Sequence, residues 1–144
     1  MIKIRKTLLT FVFILTIIGA NSQTIFGKWY SKNEETGQIS SVIEVYEKNG
    51  KAYAKVVAIK DPEKQEITCT ECNGENKGKK VLGLHIITGL EKNKNEWSGG
   101  TILDPRNGKE YKCYIKLIKP NTLKIRGYIG FSLLGKTAYW QRAD

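Results

Sequence analysis

After its first two dozen residues, the sequence is dominated by short stretches in which apolar and polar residues alternate, and no stretch of helical period follows. Tyr111 to Ile118 alternates strictly, and Leu123 to Ile129 does so again. Because successive side chains of a β-strand point to opposite faces of the sheet, this pattern predicts strands with one buried face. Eight strands are expected, over residues 26–31, 39–47, 51–59, 84–90, 96–103, 111–118, 123–129 and 137–142.

The connections between these stretches are mostly short and rich in turn residues. Asn49-Gly50 is typical of a two-residue hairpin, because a type I′ turn requires positive φ at both positions. Asp104 to Gly108 and Pro120-Asn121 form two further turns. The fold class is therefore predicted to be all-β, a single eight-stranded antiparallel up-and-down barrel, since closure removes exposed edge strands. A two-sheet sandwich is the alternative.

The N-terminus has the pattern of an export signal. Met1 to Lys6 is basic, and Leu8 to Ile18 is almost wholly apolar but shorter than the roughly 20 residues that span a bilayer. Small residues over 20–22 then provide a cleavage site. We expect 1–22 to be a signal peptide and 23–144 to be one barrel domain, periplasmic or secreted and not membrane-spanning. An uncleaved N-terminal anchor is the alternative.

The charge of the chain restricts its partners only weakly. Without Lys3, Arg5 and Lys6 of the leader, the formal charge falls from +10 to +7. A basic domain of this kind is drawn weakly to anionic surfaces, although lysines spread through strands are also typical of a solvent-facing side. Nucleic acid is not an expected partner, because export removes it and no aromatic and basic platform is visible. A monomer is expected.

Three cysteines follow the leader, and export changes their interpretation. Cys69 and Cys72 lie in a long loop predicted over 60–81, and in an oxidising compartment they are expected to form a disulfide within it. A redox-active pair would need a helix beginning at the first cysteine, whereas turn residues follow here. Zinc bound by the cysteines, including Cys113, with His85 is the other alternative.

The two ends of the predicted barrel carry a short pattern of their own. Gly27 and Trp29 open the first strand, and Trp140 and Arg142 end the last. In a closed meander these strands are antiparallel neighbours, so Trp29 and Arg142 are expected to meet at one end, with the guanidinium over the indole. This arrangement resembles the signature of the lipocalin-like (calycin) barrels.

Two longer segments carry a second resemblance. Trp97 to Tyr111 and Leu123 to Arg142, together with Cys69-Thr-Glu-Cys72-Asn-Gly74, resemble a family of small exported bacterial proteins of unknown function. The resemblance implies a lipocalin-like barrel in the cell envelope with no established activity and no catalytic residue. The residues expected to have structural roles are Gly27, Trp29, Trp97, Asp104, Gly108, Arg126, Gly127, Trp140 and Arg142.

Individual polar residues offer little chemistry. Asp104 precedes Pro105 and Asn107-Gly108 and is expected to bond turn backbone, while Arg126 shares an outward face with Lys124. No acid–base pair, nucleophile, metal cluster or cofactor motif is visible, so we expect a non-enzymatic protein without a cofactor. The first hypothesis is a barrel that binds a small apolar or amphipathic ligand. The alternative is an interaction or structural module that uses the cysteine-containing loop or the basic outer face.

Overall fold

The computed structural model of the protein describes residues 23–143, so the predicted leader lies outside the described residues. Among the described residues, no helix has the length and apolar character needed to cross a membrane. Two short 3-10 turns, Pro62–Lys64 and Gly74–Asn76, are the helical elements of this part of the chain. Its strands are β1 (Gly27–Lys32), β2 (Ile39–Lys48), β3 (Lys51–Ile59), β4 (His85–Asn93), β5 (Glu96–Asp104), β6 (Lys109–Lys119), β7 (Thr122–Tyr128) and β8 (Gly135–Arg142).

The eight strands form one closed barrel in which each strand pairs antiparallel with the next in sequence. The predicted fold class is therefore confirmed, and the sandwich alternative is excluded. β8 closes on β1 through two registered residue pairs, Trp29 with Arg142 and Tyr30 with Gln141. The other neighbouring strands pair over longer stretches. We call this junction the closing seam.

The up-and-down order places alternate connections at opposite ends of the barrel. The closed end carries the tight turns at 49–50, 94–95 and 120–121, together with the start of β1 and the end of β8. The mouth end carries four longer connections, over 33–38, 60–84, 105–108 and 129–134. Because loops are where a rigid scaffold presents binding groups, the mouth end is the place to look for a site.

Inward-facing residues fill the half of the barrel next to the closed end. Trp29, Leu90, Ile115 and Leu123 are fully buried there, and Trp97 packs against this core. Gly99 and Gly100 interrupt the register between β5 and β6, as the glycine pair predicts. A Cβ atom at Gly100 would overlap the carbonyl oxygen of Thr88, so this position needs glycine for close approach of the strands.

The strand prediction is wrong for Ile129. β7 ends at Tyr128, and Ile129 is 67% exposed rather than facing the interior. Gly130 takes a left-handed φ of 72°, so the chain leaves the sheet although the alternating pattern continues. We call the exposed connection over 129–134 the mouth loop.

The connection between β3 and β4, the cysteine loop (60–84), is held in place in three ways. Cys69 and Cys72 form the predicted disulfide, with their Cα atoms 5.3 Å apart. Backbone hydrogen bonds join the loop to itself, from Cys69 to Lys79 and from Gly78 to Cys69. The disulfide and Leu84 pack against Leu103 in a small second core. A long connection is therefore tied down, as its length requires.

Candidate ligand-binding site

The mouth end of the barrel opens into one large cavity. Its volume is about 1610 Å³, above the roughly 300–1,000 Å³ typical of pockets for drug-sized ligands, because it widens into the open mouth. The wall is mainly aliphatic. The side chains that give it this character are Ile43, Val56, Ile59, Ile86, Ile102 and Ile125.

Trp140 closes the cavity from below. Trp140 lies in the cavity wall and is almost completely buried, and it pairs with Leu123 across β7 and β8. Trp29 is fully buried nearer the closed end. The interior is thus filled at one end and open at the other.

Small residues explain why the upper half stays open. Ala138 and Gly127 lie on the inward faces of β8 and β7, and Ser31 pairs with Ser41 on the inward faces of β1 and β2. In the filled half, the corresponding positions on the same strands carry Trp140, Leu123 and Trp29. The cavity therefore arises from side-chain volume and not from a gap in the sheet.

Charged side chains surround the mouth. Asp104 and Arg106 form an ion pair of 2.9 Å, and Asp61 and Lys64 form one of 3.8 Å. Lys136 shares the inward face of β8 with Ala138 and lies at the rim of the cavity. An apolar chamber with cations at its entrance is suited to a ligand with an apolar body and an anionic head.

Asp104 has the turn role that its sequence context predicts. Its carboxylate accepts hydrogen bonds from the backbone N–H of Arg106, at 3.0 Å, and from the Arg106 guanidinium. Partial burial raises the pKa of Asp104, but the hydrogen bonds and charge of Arg106 outweigh it and lower the pKa overall. The Asp104 side chain is thus occupied in fixing the turn between β5 and β6.

The same turn packs on the cysteine loop. Gly108 has a φ of 70°, and a Cβ atom there would overlap the carbonyl oxygen of Glu71. Glu71 precedes the disulfide-bonded Cys72, so the two connections meet backbone to backbone. This contact fixes one side of the mouth end.

Trp29 and Arg142 lie together at the closed end. The guanidinium carbon is 4.3 Å from the centroid of the Trp29 ring, which is the predicted stacked arrangement. Arg142 also donates to the carbonyl oxygens of Thr24, Phe26 and Pro120, at 2.8 to 3.2 Å. The indole N–H of Trp29 donates to the carbonyl oxygen of Ile25 at 2.9 Å.

Two further residues with expected structural roles, Gly27 and Trp97, lie near this pair. A Cβ atom at Gly27 would lie 3.2 Å from Nη1 of Arg142, so glycine leaves room for the guanidinium. Trp97 makes an edge-to-face contact with Phe26, with ring centroids 5.4 Å apart. Sequence patterns alone thus identified a structural cluster, not a binding site.

Arg126 lies outside the barrel but is not simply solvated. Its guanidinium donates to the carbonyl oxygens of Ser132 and Leu133, at 2.6 and 3.3 Å, and to the Thr137 hydroxyl at 2.8 Å. The expectation that Arg126 shares a face with Lys124 is met, but its role is to hold the mouth loop. Alternation gives the face of a residue and not its partners, so the sequence missed this contact.

The two remaining titratable candidates, Cys113 and His85, lie in different environments. Cys113 is a buried free thiol on the inward face of β6, whereas His85 is exposed and its Nε2 lies 2.6 Å from the Tyr46 hydroxyl. Burial, followed by nearby lysines, lowers the pKa of His85. Within residues 23–143, no group of three or more potential metal-ligating side chains comes together.

The buried thiol leads to a direct chemical expectation. Cys113 is fully buried, and this desolvation raises its pKa to about 12, so thiolate is scarce at pH 8. We expect no reaction with a disulfide thiol reagent in the folded protein, and one equivalent after denaturation in guanidinium. Non-reducing peptide mapping should link Cys69 to Cys72. A peptide that links Cys113 to either one would contradict the assignment.

Comparison with known proteins agrees with this architecture. A solved structure of protein HP1028 from the human pathogen Helicobacter pylori, described as belonging to the lipocalin family, superposes with a TM-score of 0.73. The match covers 84% of each chain at 21% sequence identity, so it establishes the shared fold. A search of curated proteins finds no significant match.

The sequence also matches a family model over almost all of the barrel. The matched segment runs from residue 27 to residue 142, which spans every strand from β1 to β8. The chain therefore belongs to the family described as uncharacterized proteins conserved in bacteria, DUF2147.

Proposed function

We propose that this is an exported cell-envelope protein, periplasmic or secreted, that binds a small apolar or amphipathic ligand in the open half of its barrel. The observation that carries the proposal is the aliphatic cavity of about 1610 Å³ at the mouth end, above a floor that contains Trp140. A packed interior would have left no room for a ligand. Lys136 at the rim favours a ligand whose polar end is anionic.

Two observations support the export part of this proposal. The signal-peptide pattern over 1–22 is one, and the disulfide between Cys69 and Cys72 is the other. Disulfides persist mainly in oxidising compartments outside the cytoplasm. The likeness to a lipocalin-family structure supports a small-ligand role at the level of the fold.

The test of the cavity is to fill it. Ala138→Phe adds a phenyl ring to the cavity wall, and a fluorescent fatty acid such as cis-parinaric acid serves as the probe. We expect the wild-type protein to bind the probe and the variant to bind at least about tenfold more weakly, since a blocked chamber removes the apolar contact area.

The matched control is Lys124→Phe, which adds the same ring to the outward face of the neighbouring strand. It should leave probe binding unchanged. Thermal unfolding of both variants checks that the barrel is intact. If Ala138→Phe folds and binds the fatty acid as tightly as the wild type, the cavity is not the ligand site.

The second candidate function is an envelope interaction module. It rests on the charge distribution, since residues 111–143 contain seven lysines and arginines and no aspartate or glutamate. The cysteine loop is the other surface that this candidate would use, because its disulfide keeps a long connection rigid. A protein that fails to bind any apolar probe but adsorbs to an anionic surface would favour this candidate.

A further inference from the structure

The mouth loop exposes more apolar side chain than any other segment that the structure describes. Ile129, Phe131, Leu133 and Leu134 are 67%, 58%, 82% and 60% exposed, all within six residues. Exposed apolar clusters of this kind mark surfaces that contact a partner or a membrane. Ile129 and Leu134 also line the cavity at its mouth, but the ligand-binding proposal leaves the exposure of Phe131 and Leu133 unexplained.

The loop is held in shape with its apolar side chains outward. Its backbone is bonded internally, from Ile129 to Leu134, from Phe131 to Ile129 and from Leu134 to Phe131. The Arg126 guanidinium donates hydrogen bonds to the carbonyl oxygens of Ser132 and Leu133. Each backbone group that already has a partner lowers the cost of placing the loop in an apolar medium.

Two lysines flank the loop, and Glu110 at the start of β6 lies near Ile129. The Nζ atom of Lys112 lies 3.4 Å from the Gly130 carbonyl oxygen, and Lys136 lies two residues after the loop. The whole sequence from 111 to 143 is free of aspartate and glutamate. An apolar tip with lysines on both sides is complementary to a bilayer that carries anionic headgroups.

The same charges favour an anionic bilayer over a second copy of this chain as the partner of the mouth loop. In a second copy of this chain docked loop to loop, Lys112 and Lys136 of both copies would face each other, and the like charges would repel. In the neighbouring connection between β1 and β2, Glu34 and Glu35 would be repelled by an anionic surface. The contact is therefore tilted, with the side of β7 and β8 toward the surface.

Other exposed apolar residues have a matching distribution. Within residues 23–143, seven of the nine exposed large apolar side chains lie in or beside the mouth-end connections. The other two, Ile118 and Tyr139, lie on the barrel wall. Exposed apolar surface is thus concentrated at the mouth end of the barrel, where the cavity opens.

We propose that the mouth loop is a membrane-docking site, which inserts Phe131, Leu133 and their apolar neighbours into the surface of an anionic lipid bilayer while Lys112 and Lys136 contact the headgroups. This docking turns the cavity mouth toward the bilayer. It goes beyond ligand binding and does not require an occupied cavity.

Vesicle co-sedimentation tests the apolar contribution. The probe is vesicles of equal parts phosphatidylglycerol and phosphatidylcholine, with protein recovered after export, so that all variants share one N-terminus. Phe131→Ser with Leu133→Ser should weaken binding roughly thirtyfold, because two large side chains no longer leave water. Ile118→Ser, an exposed apolar residue of β6 near the closed end, is the matched control and should leave binding unchanged.

Two double variants, each of which removes two lysine charges, test the headgroup contacts. Lys112→Gln with Lys136→Gln should weaken binding to the same vesicles about twenty-fivefold, since each cation near the surface contributes about fivefold. Lys48→Gln with Lys92→Gln removes the same charge at the closed end and should have much the smaller effect. Vesicles of phosphatidylcholine alone should bind the wild-type protein weakly.

Three outcomes would overturn the docking site. One is unchanged vesicle binding by the Phe131 and Leu133 variant, and another is equal binding of the wild type to neutral and anionic vesicles. The third is sedimentation velocity showing a dimer that the apolar variant abolishes while vesicle binding persists. Ala138→Phe should still bind vesicles, so failure of the cavity and failure of docking are distinguished.

Discussion

Replacing Trp29 by alanine is expected to lower the free energy of unfolding by about 3–5 kcal/mol, in the range of large aromatic deletions in cores. Trp29 is fully buried, and its indole N–H donates to the Ile25 carbonyl oxygen. The ring also supports the Arg142 guanidinium. The substitution removes all three interactions and leaves a cavity beneath Trp140. Urea denaturation followed by tryptophan fluorescence and circular dichroism measures the loss.

The Arg142 side chain provides the partner measurement. Arg142→Ala should cost less, about 1–3 kcal/mol, through lost hydrogen bonds and packing. A double-mutant cycle with Trp29→Ala should show a coupling energy of at least about 0.5 kcal/mol. Tyr139→Ala, at a half-exposed position of the same strand, is the control and should change stability little. Strict additivity of the two losses would mean that the stacked pair does not act together.

Gly108→Ala is expected to cost about 2–5 kcal/mol for one added methyl group. The residue holds a left-handed φ of 70°, which disfavours any side chain by about 1–2 kcal/mol. The new methyl group would also meet the backbone of Glu71, and overpacking against backbone costs a further 1–3 kcal/mol or so. Packing of the disulfide against Leu103 opposes displacement of the cysteine loop.

Gly37→Ala separates these two contributions. Gly37 has nearly the same φ, 69°, but its Cβ atom would meet nothing within 4 Å. Alanine there should therefore cost only the backbone contribution of about 1–2 kcal/mol. Denaturant midpoints of both variants give the comparison. Equal losses at the two positions would show that the turn and the cysteine loop do not press on each other.

Much of the barrel follows from local pattern. Strict alternation, as over Tyr111 to Ile118, fixes which side chains face inward, and Asn49-Gly50 fixes a hairpin, so strand number and order are predictable. The pairing of Trp29 with Arg142 follows once the first and last strands must close the sheet. The cysteine spacing and the export pattern together predict the disulfide.

The binding cavity does not follow in the same way. Alternation places Ala138 and Trp140 on one inward face but says nothing about which level of the barrel each occupies. Whether the interior is open depends on the volumes that meet from several strands at one level. The small inward-facing residues Gly127 on β7 and Ala138 on β8 were the sequence features that indicated an open interior. Ile129 was misplaced because its alternating pattern continues past the end of β7.

The closing seam has a consequence for how the chain folds. The hydrogen bond from Arg142 to Phe26 joins residues that are 116 positions apart. All the other strand pairings of the barrel join strands that are consecutive in sequence. Loop-closure entropy makes such a distant contact slow to form. The hairpins that join consecutive strands from β1 to β8 are therefore expected to assemble first, and the barrel closes in a late step. This junction has two registered pairs, against four or more at every other one, so we expect the native sheet to open here at the lowest free energy.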